Sequence, residues 1–279
     1  MKSSILVNRL IVFLLINLIA SGLYSQERTN NDGFVPHVGQ DGKDVIWVPT
    51  PDELVNKMLE IAGVTPKDFV IDLGSGDGKT VIAAAKLGAN ALGIEYNPDM
   101  VALSINNAEA AGVSNKAKFI KADLFEYDFS KATVITMFLL PDINIKLRPR
   151  LLDLKPGTRI VSNTFTMGEW SPDFEVTTEE NWNSWNSALM WIIPAKVEGS
   201  WNLQSGELTI RQEYQMIYGS FVSDTKRSTI NEGRLDGSEI TFSLDGEIYT
   251  GAVSDNKTII GTVTTSSGKT DWTASRKED

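Results

Sequence analysis

The sequence contains no cysteine and only one histidine among its 279 residues. Disulfide frameworks, thiolate zinc sites, cysteine nucleophiles and metal sites built from several histidines are therefore excluded. Basic residues are in the minority as well: 26 Lys and Arg stand against 36 Asp and Glu, which gives a formal net charge of −10. Because such a charge repels a phosphate backbone, we do not expect a nucleic acid as the partner. Any chemistry must use carboxylates, amides, hydroxyls, lysines or a bound cofactor, and no metal site is expected.

The length allows two domains, since one domain commonly takes about 100–200 residues. With 22% charged and 42% hydrophobic residues, the composition is that of an ordinary globular protein and excludes collagen-like, coiled-coil and wholly disordered chains. Helical patterns stop near residue 197, where short alternating segments begin. We therefore expect one domain over 26–196 and a second over 197–279.

Residues 1–25 have the pattern of a secretory signal peptide. Two basic residues and no acid precede an apolar run over residues 10–20, and small residues follow it up to Ser25. The run is shorter than the roughly 20 apolar residues of a bilayer span, so we expect no integral span in the mature chain. An uncleaved membrane anchor and a buried helix are the alternatives. A signal peptide or an anchor would place the rest of the chain outside the cytoplasm, in the periplasm, the cell envelope or the medium.

Strand-length apolar runs alternate with helix-length stretches through the first domain. The predicted strands are Phe69–Leu73, Ala91–Glu95, Lys118–Ala122, Thr133–Leu139 and Arg159–Ser162. The predicted helices are Pro51–Ala62, Lys79–Leu87, Pro98–Ala111 and Asn144–Leu154. Such alternation predicts an α/β domain with a Rossmann-like, doubly wound parallel sheet. Two further strands, Phe174–Thr178 and Ser187–Pro194, are expected to close it.

The segment over 197–279 has a different pattern. Turn-forming pairs recur every 9 to 12 residues, at positions 236–237, 245–246, 255–256 and 267–268. A period-two alternation begins at Leu208. This spacing predicts a small all-β antiparallel meander that closes into a barrel or a sandwich.

A glycine-rich stretch, Gly74–Gly78, follows the first predicted strand and precedes a helix. A phosphate-binding P-loop would require glycine at position 73, which is leucine. A dinucleotide fingerprint would require its third glycine at position 79, which is lysine. The pattern that remains places a carboxylate, Asp72, at the strand end, where it would meet a cationic ligand rather than a pyrophosphate.

Three acids follow or end three consecutive predicted strands: Asp72, Glu95 and Asp123. The carboxyl ends of parallel strands line the ligand crevice of an open α/β sheet. There, Glu95 is placed to accept two hydrogen bonds from a ribose diol, and Asp123 to accept one from an adenine amine. Together the acids predict a site for adenosine joined to an amino acid. Taken singly, Asp72 can be a helix cap, Glu95 a surface charge and Asp123 a turn residue.

Five segments carry a resemblance to a known family: Trp47–Pro51, the loop LGSGDGK, Gly93–Glu95, Phe138–Pro141 and Lys155–Thr158. Over roughly residues 45–195 the chain resembles the class I, seven-strand methyltransferases that use S-adenosylmethionine (SAM). Within that class it is most similar to the group of mitochondrial lysine methyltransferases that act on an ATP-synthase subunit. The resemblance implies the class I methyltransferase fold, SAM as cofactor, and methyl transfer to an amine of a protein or a small molecule, with protein lysine favoured. The last 83 residues resemble small exported β-modules without a known activity.

The resemblance also implies roles for individual residues. The methionine end of SAM would be held by Asp72, Gly74, Ser75, Gly76 and Gly78. Glu95 would hold the ribose, and Asp123 with Leu124 the adenine. The residues expected to surround, orient or deprotonate the acceptor amine are Phe138, Leu139, Leu140, Pro141, Asp142 and Glu169.

Aromatic residues outside the motifs receive more ordinary interpretations. Trp170 follows the fifth predicted strand and is a candidate to pack on the amine or the adenine. Trp182, Trp185 and Trp191 are expected to pack the closing pair of strands, because large aromatic side chains usually serve burial. The single histidine, His37, is expected to be structural or solvated.

A non-enzymatic binding or scaffold protein of the cell envelope is the alternative function. SAM is a charged metabolite of the cytosol, and charge opposes its passage across a bilayer. The intact glycine loop and its acids favour the enzyme. The sequence specifies neither the methyl acceptor, nor the role of the β-module, nor the oligomeric state.

Overall fold

Two β-sheets form the core of the computed structural model of the chain, which describes residues 33–179 and 185–277. The predicted leader over 1–25 and Trp182 lie outside the described residues. Within the described part, none of the helices has the length and apolar character needed to cross a membrane.

Seven strands form the first sheet: β1 Phe69–Leu73, β2 Asn90–Glu95, β3 Ala117–Lys121, β4 Val134–Met137, β5 Arg159–Asn163, β6 Phe174–Thr177 and β7 Ser187–Ile192. Their order across the sheet is β3-β2-β1-β4-β5-β7-β6. The first five run parallel, and β7 runs antiparallel to both of its neighbours. The chain therefore moves outward from β1 in both directions, which creates a switch point between β1 and β4.

Four helices cover this sheet: α1 Asp52–Ile61, α2 Lys79–Lys86, α3 Pro98–Ala110 and α4 Pro141–Leu151. Neighbouring residues of a strand point to opposite faces, so Val70 and Val134 pack against α1, α2 and α3, whereas Ile71 and Ile135 pack on the side of α4. Burial of both faces explains the nearly continuous apolar runs of the central strands. The predicted doubly wound α/β fold is confirmed.

Two predicted boundaries are wrong around the end of β4. The strand ends at Met137, two residues before the predicted Leu139. Helix α4 begins at Pro141, three residues before the predicted Asn144, because proline is favoured in the first helical turn, where its missing N–H is not needed. As a result, Phe138 to Leu140 form a short irregular connection, and Asp142 lies in a helix rather than on a loop.

The second sheet is a closed barrel. Its strands are β8 Gly199–Leu203, β9 Gly206–Glu213, β10 Met216–Val222, β11 Arg227–Thr229, β12 Asn231–Asp236, β13 Glu239–Leu244, β14 Glu247–Ser254, β15 Thr258–Thr265 and β16 Gly268–Arg276. All pairings are antiparallel; β16 returns to pair with β8, and β9 pairs with β10. Because β11 and β12 both pair with β10, they act as one interrupted strand. The barrel therefore has eight strand positions around its circumference. Trp201, Phe242 and Trp272 are buried in its core.

A polar and aromatic junction joins the barrel to the loop that follows β5. The indole of Trp170 is fully buried and stacks on Tyr214 of the barrel, with ring centroids 5.4 Å apart and planes inclined by 10°. Gln215 bridges the two parts: its Oε1 accepts from Trp170 Nε1 at 2.8 Å, and its Nε2 donates to the carbonyl of Ser171 at 2.9 Å. Arg234 adds an ion pair to the carboxylate of Asp173, whose side chain is 5% exposed.

The substitution Gln215→Leu tests this junction. It leaves a buried indole N–H and a backbone carbonyl without partners, so we expect the free energy of unfolding to fall by about 1–3 kcal/mol. Urea unfolding followed by circular dichroism measures this change. Gln204→Leu is the matched control, because Gln204 is exposed in the turn between β8 and β9 and should change stability by less than about 0.5 kcal/mol. Equal unfolding midpoints for the two variants would contradict the proposed importance of the junction.

Candidate active site

The carboxyl ends of β1 to β4 border a cleft. Its volume is about 1080 Å³, including the solvent-filled opening. Asp72, Glu95 and Asp123 all line this cleft, although they come from three different strand ends. Leu124 lies beside Asp123 in the same wall. The structure therefore brings together the three acids that the sequence placed at consecutive strand ends.

The glycine loop after β1 forms the floor of the cleft. Gly74, Gly76 and Gly78 have φ values of 79°, 52° and 84°, in the left-handed region that favours glycine. The N–H groups of Gly74 and Ser75 both donate to the carbonyl of Ile94 in β2, at 2.9 and 3.0 Å. Gly78 caps α2 and does not line the cleft. A Cβ added at Gly78 would be 2.7 Å from the ring of Phe119 and from Ser104 Cβ, so the close packing of α2 requires glycine here.

Glu95 is bound to the loop rather than free at the surface. One of its carboxylate oxygens accepts from the N–H of Gly76 at 3.0 Å, and the other accepts from the N–H of Asn97 at 2.8 Å. Each carboxylate oxygen can accept a further hydrogen bond, since an ionised carboxylate offers about four lone-pair sites. Glu95 therefore fixes the loop and still has acceptor capacity toward the cleft.

Asp72 is a buried carboxyl at the end of β1, where 6% of the residue is exposed. Burial raises the pKa of Asp72 to about 7, and the neighbouring carboxylates of Asp77 and Glu95 act in the same direction. The hydroxyl of Thr136 donates to Asp72 at 2.6 Å and opposes this rise. Among the described residues, no basic side chain forms an ion pair with Asp72. A cationic ligand would supply the missing partner.

Asp123 has the opposite electrostatic situation. Its carboxylate is paired with the ammonium of Lys43 and accepts from the N–H of Phe125 at 2.8 Å. The hydrogen bond from Lys43 is the main cause that lowers the pKa of Asp123. Asp123 therefore stays ionised at neutral pH.

The segment 40–50, which precedes α1, forms a wall of the cleft that we did not predict. Two backbone hydrogen bonds close its turn: the N–H of Gly39 donates to the carbonyl of Trp47, and the N–H of Trp47 donates to the carbonyl of Gln40. The indole of Trp47 lies against the glycine loop, since a Cβ added at Gly76 would be 2.6 Å from its Nε1. Trp47 belongs to a segment that carried the family resemblance, but its local sequence pattern does not indicate where this segment packs.

The expected acceptor residues are only partly in the cleft. Phe138 and Leu139 line it, and Leu139 touches the glycine loop: a Cβ added at Gly74 would be 3.1 Å from Leu139 Cδ2. Leu140, Pro141 and Asp142 are exposed and lie outside the lining, because the backbone turns into α4 at Pro141.

Glu169 and Trp170 lie at the barrel junction instead of in the cleft. The carboxylate of Glu169 pairs with Arg148 at 2.9 Å and accepts from the hydroxyl of Tyr214 at 2.7 Å. The hydrogen bond from Arg148 is the main cause that lowers the pKa of Glu169 to about 2, which makes it a poor proton acceptor at neutral pH. Trp170 is fully buried against Tyr214 and Trp191, so its predicted contact with amine or adenine is wrong.

Two aromatic residues near the cleft were not predicted as site residues. Phe165 and Trp185 both pack on Phe138, each with a centroid distance of 5.8 Å. Trp191, in contrast, is buried in the core as expected. Phe165 follows β5 by two residues, and this position at a strand end is the only sequence signal that points to it.

Residues 72–174 match the family described as ANTKMT methyltransferase domain. A protein-lysine N-methyltransferase of Saccharolobus islandicus is 42% identical over 163 residues, which cover 57% of this chain and 96% of that protein. A mouse adenine nucleotide translocase lysine N-methyltransferase is 35% identical over 140 residues, which cover 50% of this chain; the chain spans about half of that protein's length, 56%.

Among solved structures, the chain is similar to an RNA methyltransferase from Salinibacter ruber in complex with S-adenosyl-L-homocysteine. The two are 47% identical with a TM-score of 0.51, and the match covers 54% of this chain and 96% of that one.

The substitution Asp72→Asn tests the buried carboxyl. In the wild type, the folded chain holds the Asp72 proton more tightly than the unfolded chain does, where the pKa is about 3.8. The stability that this proton contributes is present at low pH and is lost as the pH rises through about 7. An amide does not ionise and can still accept from Thr136. We therefore expect the variant to have the higher Tm at pH 8, with a gap that shrinks toward pH 5.

Differential scanning calorimetry at both pH values measures the gap. Asp271→Asn is the control, since Asp271 is exposed on the barrel strand β16 and should give no gap that depends on pH. A Tm of Asp72→Asn below that of the wild type at pH 8 would show that the carboxylate is not destabilising.

Proposed function

Because the chain belongs to the family of class I SAM-dependent methyltransferases that contains these lysine methyltransferases, we propose that its acceptor is the side-chain amine of a lysine in a protein. One observation carries this proposal: the apolar connection Phe138–Leu139 lines the cleft and touches the glycine loop at Gly74. An acceptor that enters beside this connection would therefore reach the loop in apolar surroundings.

The residues of the cleft fit SAM. Its sulfonium and ammonium groups are cationic, and the cleft presents the carboxyls of Asp72, Glu95 and Asp123. Asp72 would hold the ammonium at the methionine end, where its buried carboxyl has no basic partner among the described residues. Glu95 would hold the ribose hydroxyls with its remaining lone pairs. Asp123 and Leu124 would hold the adenine, with Asp123 shared between the base and Lys43.

Residues of this chain would lower the cost of deprotonating the acceptor amine. When bound, SAM supplies a sulfonium methyl group to which the amine lone pair bonds while the electron pair of the C–S bond stays on sulfur. A lysine with a pKa of about 10.4 must first lose a proton, which costs about 4–5 kcal/mol at pH 7. Apolar surroundings lower this cost by disfavouring the ammonium form, and Phe138 and Leu139 provide them. Asp142 and Glu169, which were expected to take this proton, do not line the cleft, and we propose that the proton leaves to solvent water.

An RNA acceptor is the second candidate, since the similar Salinibacter ruber protein is described as an RNA methyltransferase. The charge of this chain argues against it: a formal net charge of −10 repels a phosphate backbone. The cleft itself is also acidic, with six carboxyl groups in its lining, those of Asp41, Asp44, Asp72, Asp77, Glu95 and Asp123. We therefore favour a protein acceptor. No finding supports the alternative of a non-enzymatic scaffold.

Calorimetric titration with SAM tests the cofactor site. We expect the wild type to bind SAM and Glu95→Ala to weaken binding by about 1–3 kcal/mol, the worth of a hydrogen bond to a charged group. Glu239→Ala, at an exposed position of the barrel, should leave the affinity unchanged. If both variants bind SAM as tightly as the wild type does, Glu95 does not contact the cofactor.

The acceptor is identified by incubating the purified protein with methyl-labelled SAM and a cell lysate. We expect label that is sensitive to protease, resistant to nuclease and recovered as methyl-lysine after acid hydrolysis. Glu95→Ala should reduce the label at a limiting SAM concentration, whereas Glu239→Ala should not. Label that is sensitive to nuclease would favour RNA, and the absence of methyl-lysine would overturn the proposal of a lysine acceptor.

A further inference from the structure

Three half-buried aromatic side chains meet beside the acceptor end of the cleft: Phe138, Phe165 and Trp185. The rings of Phe138 and Phe165 have centroids 5.8 Å apart and are nearly parallel, with an angle of 20°. The ring of Trp185 lies at the same distance from Phe138 but is inclined by 67°. The three rings therefore form two walls of a corner, and Phe138 connects this aromatic corner to the cleft.

The backbone holds Phe165 in this corner at a conformational cost. The carbonyl of Phe165 accepts from Ser162 Oγ at 2.7 Å and from Asn144 Nδ2 at 3.2 Å, and its N–H donates to the carbonyl of Asn163 at 2.6 Å. The preceding Thr164 has a φ of 58°, which a β-branched residue rarely adopts. Strain of this kind persists where the surroundings overdetermine it, and it is concentrated at binding and active sites.

We propose that the aromatic corner packs around the acceptor nitrogen during methyl transfer and binds the methylated ammonium products. The inference rests on the proposed function, because a lysine acceptor is what brings an alkylammonium to this end of the cleft. Aromatic faces attract cations through the ring quadrupole and recognise quaternary ammonium groups in particular. Phe138 would supply the face that borders the cleft, while Phe165 and Trp185, which pack on it, would fix its orientation and extend the aromatic surface.

The chemistry of the transfer makes this corner more than a passive wall. A neutral amine enters, and its nitrogen becomes positively charged as the N–C bond forms, while the leaving sulfur becomes neutral. Aromatic faces beside that nitrogen stabilise the charge as it develops, so they bind the transition state better than the neutral amine. Before each further transfer the methylated ammonium loses a proton to water, and the rings, which need no N–H to make contact, stay in contact with the methylated nitrogen. The corner therefore favours more than one methylation of the same lysine.

A binding experiment tests the corner without relying on turnover. The probe is Nα-acetyl-Nε-trimethyl-lysine amide, titrated by calorimetry into the protein saturated with S-adenosyl-L-homocysteine. We expect the wild type to bind it and Phe165→Ala to bind it about 5- to 30-fold more weakly, while Phe165→Tyr, which keeps the ring, stays within about twofold of the wild type. The uncharged isostere with a tert-butyl group in place of trimethylammonium should bind more weakly than the probe.

Phe174→Ala is the matched control, because Phe174 is 56% exposed on β6 and belongs to neither the cleft lining nor the corner. It should leave probe affinity unchanged. All variants should keep the affinity for S-adenosyl-L-homocysteine within about twofold, which shows that they are folded. Loss of probe affinity in Phe165→Ala with rescue in Phe165→Tyr supports the corner. Equal affinity of Phe165→Ala and wild type, or of the probe and its uncharged isostere, overturns it.

The lysate labelling separates this inference from the proposed function. If the wild type forms no methyl-lysine, the proposed function fails. If it forms methyl-lysine but the probe does not distinguish Phe165→Ala from wild type, only the aromatic corner fails. If the corner acts as proposed, Phe165→Ala should also shift the products from trimethyl-lysine toward monomethyl-lysine, as measured by mass spectrometry.

Discussion

The site depends on the attachment of the glycine loop to the end of β2. Three consecutive N–H groups, those of Gly74, Ser75 and Gly76, are bound by the carbonyl of Ile94 and the carboxylate of Glu95. The loop therefore cannot collapse into the cleft, and α2 begins directly behind it. Because Glu95 is both an anchor of the loop and an acceptor in the cleft, the shape of the site and its charge are set by the same side chain.

The sequence was sufficient for the features that depend on local pattern. Strand-length apolar runs that each end near an acid predicted that Asp72, Glu95 and Asp123 would share one edge of the sheet, because parallel strands place their carboxyl ends together. The turn pairs in the second half predicted hairpins, and consecutive hairpins produce an antiparallel meander. Closure into a barrel rather than a sandwich depends on the pairing of β16 with β8, whose partners are distant in sequence.

The sequence was insufficient where long-range contacts decide the direction of a side chain. Glu169 follows a strand end, as an active-site acid would, but the hydroxyl of Tyr214, 45 residues later, donates to it and holds it at the junction with the barrel. Trp185 stood in a segment expected to pack the closing strands, and its edge contact with Phe138, 47 residues earlier, was not predicted. Lys43 reaches Asp123 across 80 residues. A pattern within a short stretch of sequence cannot predict contacts between residues that are so far apart along the chain.

One loop, which follows β5, connects the barrel junction with the aromatic corner beside the cleft. At one end of this loop, Thr164 is strained and Phe165 contributes to the aromatic corner. At the other end, Trp170 is buried between Trp191 of β7, in the first sheet, and Tyr214 of the barrel. A turn held in an unfavourable conformation requires fixed attachments on both sides, since a free end would let it relax. The α/β part supplies one attachment through the hydrogen bonds to the Phe165 carbonyl, and the barrel supplies the other. The barrel thus fixes one end of the loop that carries Phe165, without contributing a residue to the lining of the cleft.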